Sequence, residues 1–400
     1  MIARRAVPVA ALLAASTVAH AQSGEPKDTS PALRAAVAAY QAGDLVGAET
    51  SLRTLAPRDG DAAAWLGAIL LERGASGEGL RLIQQAADAG SAEGAHRLAL
   101  VFAYGEGGSP RDAAKAFQWF QRAAEKGHQR AQLNLGTLYL RGQGVPRDLI
   151  EARAWLEKAA AKGDPHALYA LGRAMSESMG PVAADATRAT DLYRQAAEKG
   201  HPLAALRLGL ALGDGIGVKH DVTAAQRWLL HAQASGIPEA ALALGDMAAR
   251  TPRSRDKATN EKALQSAIAW YEVAARAGVP SAQFKLANAY LAGAGVARDT
   301  AQAQLWYGRA ARQGVTQAQN ALGILLIGGA AGAPDPIEGY KWLLLAERGG
   351  HPESRTVREK TMGQMPDLDR KRAEDLARRF SPTAERPLDK APPRLNPPKP

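Results

Sequence analysis

The chain has 400 residues, enough for two or three globular domains unless the sequence repeats. Aromatic residues make up only 5% and alanine is abundant, which favours closely packed helices over a β-sandwich or a β-barrel. The lack of cysteine excludes disulfides, thiolate metal ligands and a catalytic thiol, while the net charge of +10 favours acidic partners.

The N-terminus has the composition of a secretory signal peptide. Arg4 and Arg5 supply a positive start, and the short apolar run that follows ends in the small-x-small pattern A-H-A just before Gln22. We therefore expect residues 1–21 to be cleaved, and a short linker over 22–31. No later stretch is apolar for the roughly 18 residues that a membrane helix requires, so we expect no integral membrane span.

Internal repetition is the most informative feature of the remaining chain. Eight Ala-rich segments end in glycine at intervals of 36 or 37 residues, with one interval of 42. These repeat-ending glycines are Gly90, Gly127, Gly163, Gly200, Gly236, Gly278, Gly314 and Gly350. We predict repeats over 91–350, preceded by looser helix pairs over 32–90 and followed by capping helices over 351–380. The Pro-rich residues 381–400 are predicted to be a disordered tail.

Each repeat has the spacing of two helices, which we name helix A and helix B. Apolar residues recur every four positions after Gly127, and an Ala/Trp stripe of period 3.6 precedes Gly163. An aspartate with Glu or Gln three residues later precedes helix B, as in Asp148 with Glu151. This is the spacing of a capping box, a motif that marks the start of a helix. Each helix is expected to be about 20 Å long.

The turn between the two helices contains Gly142-x-Gly144, which could be a phosphate-binding loop or only a reversal of the chain. The motif recurs in other repeats, and the helix after it begins with the carboxylates of Asp148 and Glu151, which would repel a phosphate. We therefore predict that Gly142 ends helix A in the left-handed conformation and that Gly144 permits a tight turn.

The combined pattern A-x-x-x-L-G…G-x-G-V-x-x-D…A-x-x-W-x-x-x-A-A resembles the Sel-one-like repeat family, a relative of the tetratricopeptide class. Residues 131–163, 204–236 and 282–314 carry the pattern most completely. The resemblance implies an all-α solenoid in which antiparallel helix pairs stack into a right-handed superhelix. It also implies use as an adaptor in protein assembly, and it makes the looser pairs over 32–90 tetratricopeptide-like.

Three departures from the pattern stand out. Segment 176–185 lacks the Gly-x-Gly turn, and Leu192-Tyr193 replaces the usual tryptophan. The repeat that ends at Gly278 is six residues longer than the others, and we predict that the extra residues, around 251–262, form a basic loop.

Six tryptophans recur eight residues before a repeat-ending glycine. They are Trp119, Trp155, Trp228, Trp270, Trp306 and Trp342. They could form an aromatic ladder for a ligand, but on Ala-rich stripes we predict that they fill the gap between neighbouring repeats, each contributing at most about 4–6 kcal/mol. Such burial requires stacking. The glycines with predicted structural roles in the most regular repeat are Gly127, Gly136, Gly142 and Gly144.

No catalytic, cofactor-binding or metal-binding residues are predicted. His128, His201 and His351 each follow a repeat-ending glycine, a spacing too long for one coordination sphere, so we interpret them as turn residues. The S-x-x-K match that starts at Ser254 lacks companion motifs, and a polar loop cannot desolvate the amine of Lys257.

A candidate partner-binding track occupies the position seven residues after the repeat-ending glycine. This position leaves the apolar stripe of helix A, which lines the concave face in such solenoids, and it carries Arg97, Asn134, Arg207 and Lys285. These side chains are either solvated surface or a discontinuous basic and polar track that grips an acidic segment of another protein.

The predicted function is that of an exported, non-catalytic interaction scaffold in the periplasm of a Gram-negative bacterium. Its partner would be another protein of the envelope, and we expect no nucleic-acid binding because the positive charge is spread along the chain. Two alternatives are a regulator docked on a membrane sensor and an assembly factor for envelope polysaccharide export. A hydrolase of cell-wall material or β-lactams is disfavoured because no carboxylate pair or nucleophile–base set stands out. The oligomeric state stays open.

Overall fold

The computed structural model describes residues 30–179, 182–250 and 255–385. The predicted signal peptide and residues 386–400 of the predicted tail lie outside these ranges. Within them the chain forms 20 α-helices and no strand, apart from an isolated antiparallel bridge between Met179 and Val182. Consecutive helices pack against each other in pairs. The prediction of an all-α solenoid of stacked helix pairs is confirmed.

The helices follow each other with short connections. In chain order they are α1 Pro31–Gln41, α2 Leu45–Leu55, α3 Gly60–Glu72, α4 Ser76–Asp88, α5 Ala92–Tyr104, α6 Ala113–Glu125, α7 Gln129–Arg141, α8 Leu149–Ala160, α9 Pro165–Ser176, α10 Ala186–Glu198, α11 Pro202–Asp214, α12 Val222–Ala234, α13 Pro238–Ala249, α14 Lys257–Arg276, α15 Pro280–Ala292, α16 Thr300–Arg312, α17 Thr316–Gly328, α18 Pro336–Arg348, α19 Ser354–Met362 and α20 Asp367–Arg379. From α5 to α18, odd-numbered helices are helix A and even-numbered helices are helix B.

The described helices form two compact units. The first extends to Ala204 and includes residues 216–218, and the second contains residues 205–215 and the chain from Lys219 onward. In the first unit α4–α7 enclose a core that includes Phe120 and Leu135. In the second unit large buried side chains of the B helices, such as Tyr307 of α16, take the same role.

Small residues allow the two helices of a repeat to approach closely. Ala152 and Ala159 of α8 are fully buried. A Cβ added to Gly136 of α7 would lie 2.6 Å from Cγ of Leu156 on α8. Alanine and glycine therefore let Leu156 fill the space between the two helix axes, which explains the Ala-rich composition.

The Gly-x-Gly turn ends helix A and contacts the preceding repeat. Gly142 has φ 67° and ψ 40°, the left-handed conformation, and its N–H donates to the carbonyl of Leu138. Gly144 has φ 72°, and a Cβ there would lie 2.1 Å from the carbonyl oxygen of Ala113, at the start of α6. The turn is thus a reversal of the chain and also a site of close backbone contact between repeats.

The predicted capping boxes form only in part. The carboxylate of Asp148 accepts from the N–H groups of Ile150 and Glu151, as expected for an N-cap. The N–H of Asp148, however, donates to the carbonyl of Tyr139 on α7 at 3.0 Å, and Glu151 accepts from Nε1 of Trp155 instead. A complete capping box would also have a hydrogen bond from the N–H of Asp148 to the side chain of Glu151. That bond does not form, because the N–H of Asp148 already closes the turn between helices A and B.

The turn that lacks the Gly-x-Gly motif is bonded to an arginine. Helix α9 ends at Ser176, and the guanidinium of Arg153 on α8 donates to the carbonyls of Ala174, Glu177 and Ala183. One side chain of the preceding helix B therefore bonds a carbonyl in the last turn of α9 and two carbonyls of the irregular turn.

The long repeat differs from its prediction. From Lys257 the extra residues are helical, so that α14 has 20 residues, and Asp256 caps it by accepting from Ala258 and Thr259. The predicted basic loop is wrong from this point because an N-cap followed by good helix formers extends the helix. Residues 251–254 lie outside the described part of the chain.

The start of the predicted disordered tail is packed. Residues 381–385 follow α20 without helix or strand, and the N–H of Thr383 donates to the carbonyl of Arg312 at 3.1 Å. For these five residues the prediction of disorder is wrong, because they contact α15 and α16 of the second compact unit.

Candidate interaction surface

The four residues of the predicted track lie on helix A of different repeats, and most of them are already engaged. The guanidinium of Arg97 lies 3.7 Å from the ring centre of Trp65 on α3 and forms an ion pair with Glu93. The amide of Asn134 lies 3.4 Å from Nε2 of His96 on α5. These contacts join helix A of one repeat to helix A of the repeat before it.

Lys285 forms the same kind of contact in the second compact unit. Its ammonium pairs with Asp246 on α13 and lies 5.3 Å from the ring centre of Tyr271. Arg207, on α11, is the exposed member of the set. In three of the four repeats, the residue seven positions after the repeat-ending glycine therefore joins successive A helices. The sequence did contain a signal for these contacts, namely a side chain of complementary chemistry 32 to 39 residues earlier in the chain. An inspection confined to one repeat does not find it.

Two histidines and a glutamate meet between neighbouring repeats. The rings of His96 on α5 and His128, just before α7, stack with their centres 4.4 Å apart. His128 Nε2 lies 2.9 Å from a carboxylate oxygen of Glu93. Comparing only the equivalent histidines His128, His201 and His351 missed this cluster, because His96 stands at a different position of the repeat.

The chemistry of the cluster favours a hydrogen-bonded tie over a metal site. His128 Nδ1 accepts from the N–H of Ala131 and caps α7, so that in the neutral ring Nε2 carries the proton and donates to Glu93. Burial alone would raise the pKa of Glu93, but Arg97 and the bond from His128 outweigh it and hold that pKa below its ordinary value. A metal ligated by His128 Nε2 would compete with this bond and disturb the helix cap.

The six periodic tryptophans occupy two kinds of environment. Trp270, Trp306 and Trp342 are buried, at 7%, 5% and 5% exposure. Trp119, Trp155 and Trp228 are half-buried. A cation three residues later covers the ring in several repeats, as Arg122 over Trp119 at 4.4 Å and Lys158 over Trp155 at 3.9 Å. The charged side chain keeps water from an incompletely buried ring.

Among the described residues, no side chains are arranged around the S-x-x-K match as a catalytic site would require. Ser254 lies outside the described ranges, Asp256 is the N-cap of α14, and Lys257 is the exposed first residue of that helix. An exposed ammonium keeps its hydration shell, so Lys257 has no desolvated environment that would make it a base.

His201 is a buried helix cap. Its Nδ1 accepts from the N–H of Ala204 at 3.2 Å, its ring stacks on Tyr169 at 4.5 Å, and His166 lies 4.8 Å away. Burial, followed by the nearby charge of His166, lowers the pKa of His201 to about 4. The folded protein therefore keeps this ring neutral at pH values where the unfolded chain is protonated.

This difference predicts an acid destabilisation that depends on His201. As the pH falls from about 6.5 to 4, the unfolded state binds a proton that the folded state does not, so His201 should lower the free energy of unfolding by at most about 3 kcal/mol. His201→Asn, which retains a capping side chain without titrating, should remove that part of the pH dependence in urea unfolding measurements. The exposed His220→Asn is the control. An unchanged slope in His201→Asn would contradict the assignment.

The stacked helix pairs, repeated at 36 or 37 residues, define an α-helical repeat protein. A family model described as Sel1 repeat matches residues 92–128, 129–164, 165–201, 202–232, 261–279, 280–315 and 316–351. The chain belongs to the Sel1 repeat family. Proteins built from these repeats are generally non-catalytic scaffolds for protein–protein interaction.

Several known proteins are similar to this chain in structure or sequence. A Sel1 repeat protein from Oxalobacter formigenes is 30% identical, with a TM-score of 0.60, over 88% of this chain and 99% of that one. A protective antigen of uropathogenic Escherichia coli with an SLR fold is 23% identical, with a TM-score of 0.47, over 92% and 93% of the two chains. The HRD3A component of an ERAD-associated E3 ubiquitin-protein ligase of Arabidopsis thaliana is 35% identical over 78 residues, which are 20% of this chain and 12% of that protein.

Proposed function

We propose that this protein is a non-catalytic scaffold of the bacterial cell envelope that holds another protein against the exposed side of its A helices. The main observation behind the proposal is that the buried and half-buried polar side chains between repeats bond to each other. Between repeats, Glu93 is hydrogen-bonded to His128, whose ring stacks on that of His96, and Asp246 pairs with Lys285. These groups tie the scaffold together and are not arranged as a nucleophile with its base.

Export is the second part of the proposal. The positive start and the A-H-A pattern before Gln22 support cleavage of a signal peptide and a periplasmic location. None of the helices in the described ranges is long and apolar enough to cross a membrane. The partner is therefore sought among periplasmic proteins and the periplasmic domains of membrane proteins.

Arg207 is the side chain of the predicted track best placed to meet a partner, because it is exposed while Arg97 and Lys285 pair within the scaffold. An exposed guanidinium on helix A favours an acidic segment, since charge-assisted hydrogen bonds are stronger than neutral ones. We expect the partner to present such a segment to α11.

The test is crosslinking in the native envelope with charge-reversed variants. Arg207→Glu should lower the recovery of an acidic partner at least about tenfold, which corresponds to one charge-assisted contact. Arg227→Glu is the matched control, because Arg227 is an exposed arginine on α12 of the same repeat. Equal recovery with both variants would contradict binding at helix A, and a recovered protein that does not begin at Gln22 would contradict the proposed cleavage.

The identity of the captured protein also decides between the two narrower roles. A sensor domain would support a regulator, whereas a component of polysaccharide export would support an assembly factor. Turnover of wall fragments by the purified protein would contradict the scaffold proposal.

A further inference from the structure

The segment Phe380–Glu385, which we name the C-terminal strap, lies on the repeats as a bound peptide would. Its aromatic end is Phe380, whose ring meets Trp342 of α18 edge to face, with the ring centres 5.3 Å apart. Its backbone leaves α20 in the extended conformation at Phe380, and the N–H of Thr383 donates to the carbonyl of Arg312 in the last turn of α16. One hydrogen bond between backbone groups and one aromatic contact thus anchor the first half of the strap.

The strap crosses two repeat-ending glycines. A Cβ added to Gly314 would lie 3.4 Å from Pro382, and a Cβ added to Gly278 would lie 3.2 Å from the carbonyl oxygen of Glu385. Pro382 lies at one repeat-ending glycine and Glu385 at the preceding one, so the strap advances by one repeat in three residues. Three residues span at most about 10 Å, which is close to the distance between packed helices, so we infer that this part of the strap is nearly extended. The missing side chains at both glycines leave room for it.

The second half of the strap ends in a carboxylate site formed by side chains of α15, α16 and the turn after α16. Gln283 is fully buried and donates both to the carbonyl of Ala275 and to the carboxylate of Glu385. The carbonyl oxygen of its amide accepts from Gln313, whose Oε1 in turn accepts from the N–H of Glu385 at 3.4 Å. A buried amide requires partners for both of its N–H groups, so Gln283 is arranged to receive an acceptor from outside the helices.

The strap does not satisfy this site completely. Nη1 of Arg309 is buried and 3.5 Å from the carboxylate of Glu385, yet it makes no hydrogen bond. Beside Phe380 and Thr383, a cavity of about 590 Å³ remains between α16 and α18, lined in part by Leu305 and Trp342. Another peptide could bond to Arg309 and fill this space better than the strap does.

Arg122 is the equivalent of Arg309 in an earlier repeat. It stands five residues before Gly127, as Arg309 stands five residues before Gly314, and it covers Trp119 as Arg309 covers Trp306. Because none of the contacts described above for the strap involves Arg122, this residue provides a matched internal control for Arg309.

We propose that the surface of α15, α16 and α18 beneath the strap is a binding site for an extended peptide that carries an aromatic residue and, five residues later, a glutamate. The strap is a tethered competitor that a partner segment of this chemistry displaces. The inference deepens the proposed scaffold function and rests on it, but it uses a different surface from Arg207 on α11.

The test measures binding of a fluorescent peptide with the sequence RFSPTAER, residues 379–386, to the full chain by anisotropy. The variant F380A/E385Q removes both anchors of the strap and should bind the peptide at least about tenfold more tightly than the unaltered chain, because a short tether gives the strap a local concentration near the millimolar range. Faster hydrogen exchange at the Thr383 amide would verify its release, and E385Q alone replaces the double variant if that variant does not fold.

Two further binding measurements test whether the peptide's glutamate occupies the carboxylate site at Arg309. In the released variant, Arg309→Gln should weaken peptide binding at least about tenfold, whereas Arg122→Gln should leave it unchanged. A peptide with glutamine in place of its glutamate should also bind at least about tenfold more weakly. No binding up to millimolar peptide, or equal losses in the Arg309 and Arg122 variants, would overturn the proposal. Envelope capture through Arg207 would be unaffected by that outcome, so the two proposals fail separately.

Discussion

Replacing Gly144 by alanine is expected to lower the free energy of unfolding by about 2–5 kcal/mol. Alanine at φ 72° carries a conformational cost of about 1–2 kcal/mol. In addition, its Cβ would lie 2.1 Å from the carbonyl oxygen of Ala113, which belongs to the backbone of α6 and cannot rotate away. Relieving such overpacking costs about 1–3 kcal/mol more because the turn must move away from the neighbouring repeat.

Gly127→Ala separates the two contributions. Gly127 also has a positive φ, 82°, but a Cβ there would have no neighbour within 4 Å. This variant should lose only the conformational part, about 1–2 kcal/mol. Urea unfolding followed by circular dichroism measures both variants. Equal losses would show that the close contact of Gly144 with Ala113 contributes nothing, and would contradict its role between repeats.

Deletion of residues 127–162 is expected to leave a folded, shorter protein. The deletion removes α7, α8 and their turns, one complete period, and joins Lys126 to Gly163. Because the repeat-ending glycine is restored and α9 is a helix A like α7, α6 and α9 can pack as α6 and α7 did. In a stack where each repeat contacts mainly its neighbours, the deletion removes the stabilisation of one repeat and of one interface between repeats. Circular dichroism should retain helical signal per residue and a cooperative thermal transition.

A half-period deletion is the control. Removing residues 127–144 takes out α7 and its turn and joins the end of α6 to the start of α8, so that two B helices follow each other. The buried face of each B helix is complementary to an A helix and not to another B helix. In addition, every helix after the deletion would have to run in the opposite direction to keep its place in the stack. We expect a molten, poorly cooperative product. A molten product of the full-period deletion, or a well-folded product of the half-period deletion, would contradict the conclusion that the helix pair is the repeating unit of the solenoid.

The candidate surface was less predictable than the helices. The exposure of Arg207 is consistent with either interpretation of position seven, but the contacts of Arg97 with Trp65 and of Lys285 with Asp246 cross from one repeat to the next. A pattern that repeats every 36 residues tells which position faces outward on one helix. It does not tell which residue of the preceding helix A stands opposite, because that depends on the relative shift of the two helices.

The helix pairs, their period and the turns between them could be predicted from the amino-acid sequence. These depend on local physics, namely stripes at i and i+4, N-cap aspartates and glycines with positive φ, and they recur often enough to be read without an alignment. The contacts that join the repeats and cover part of their surface could not be predicted in this way, because they depend on how the helices pack. His96 meets His128, and Glu385 reaches Gln283, 102 residues away in the chain. Such contacts follow from stacking geometry and competition among polar groups, which no periodic pattern encodes.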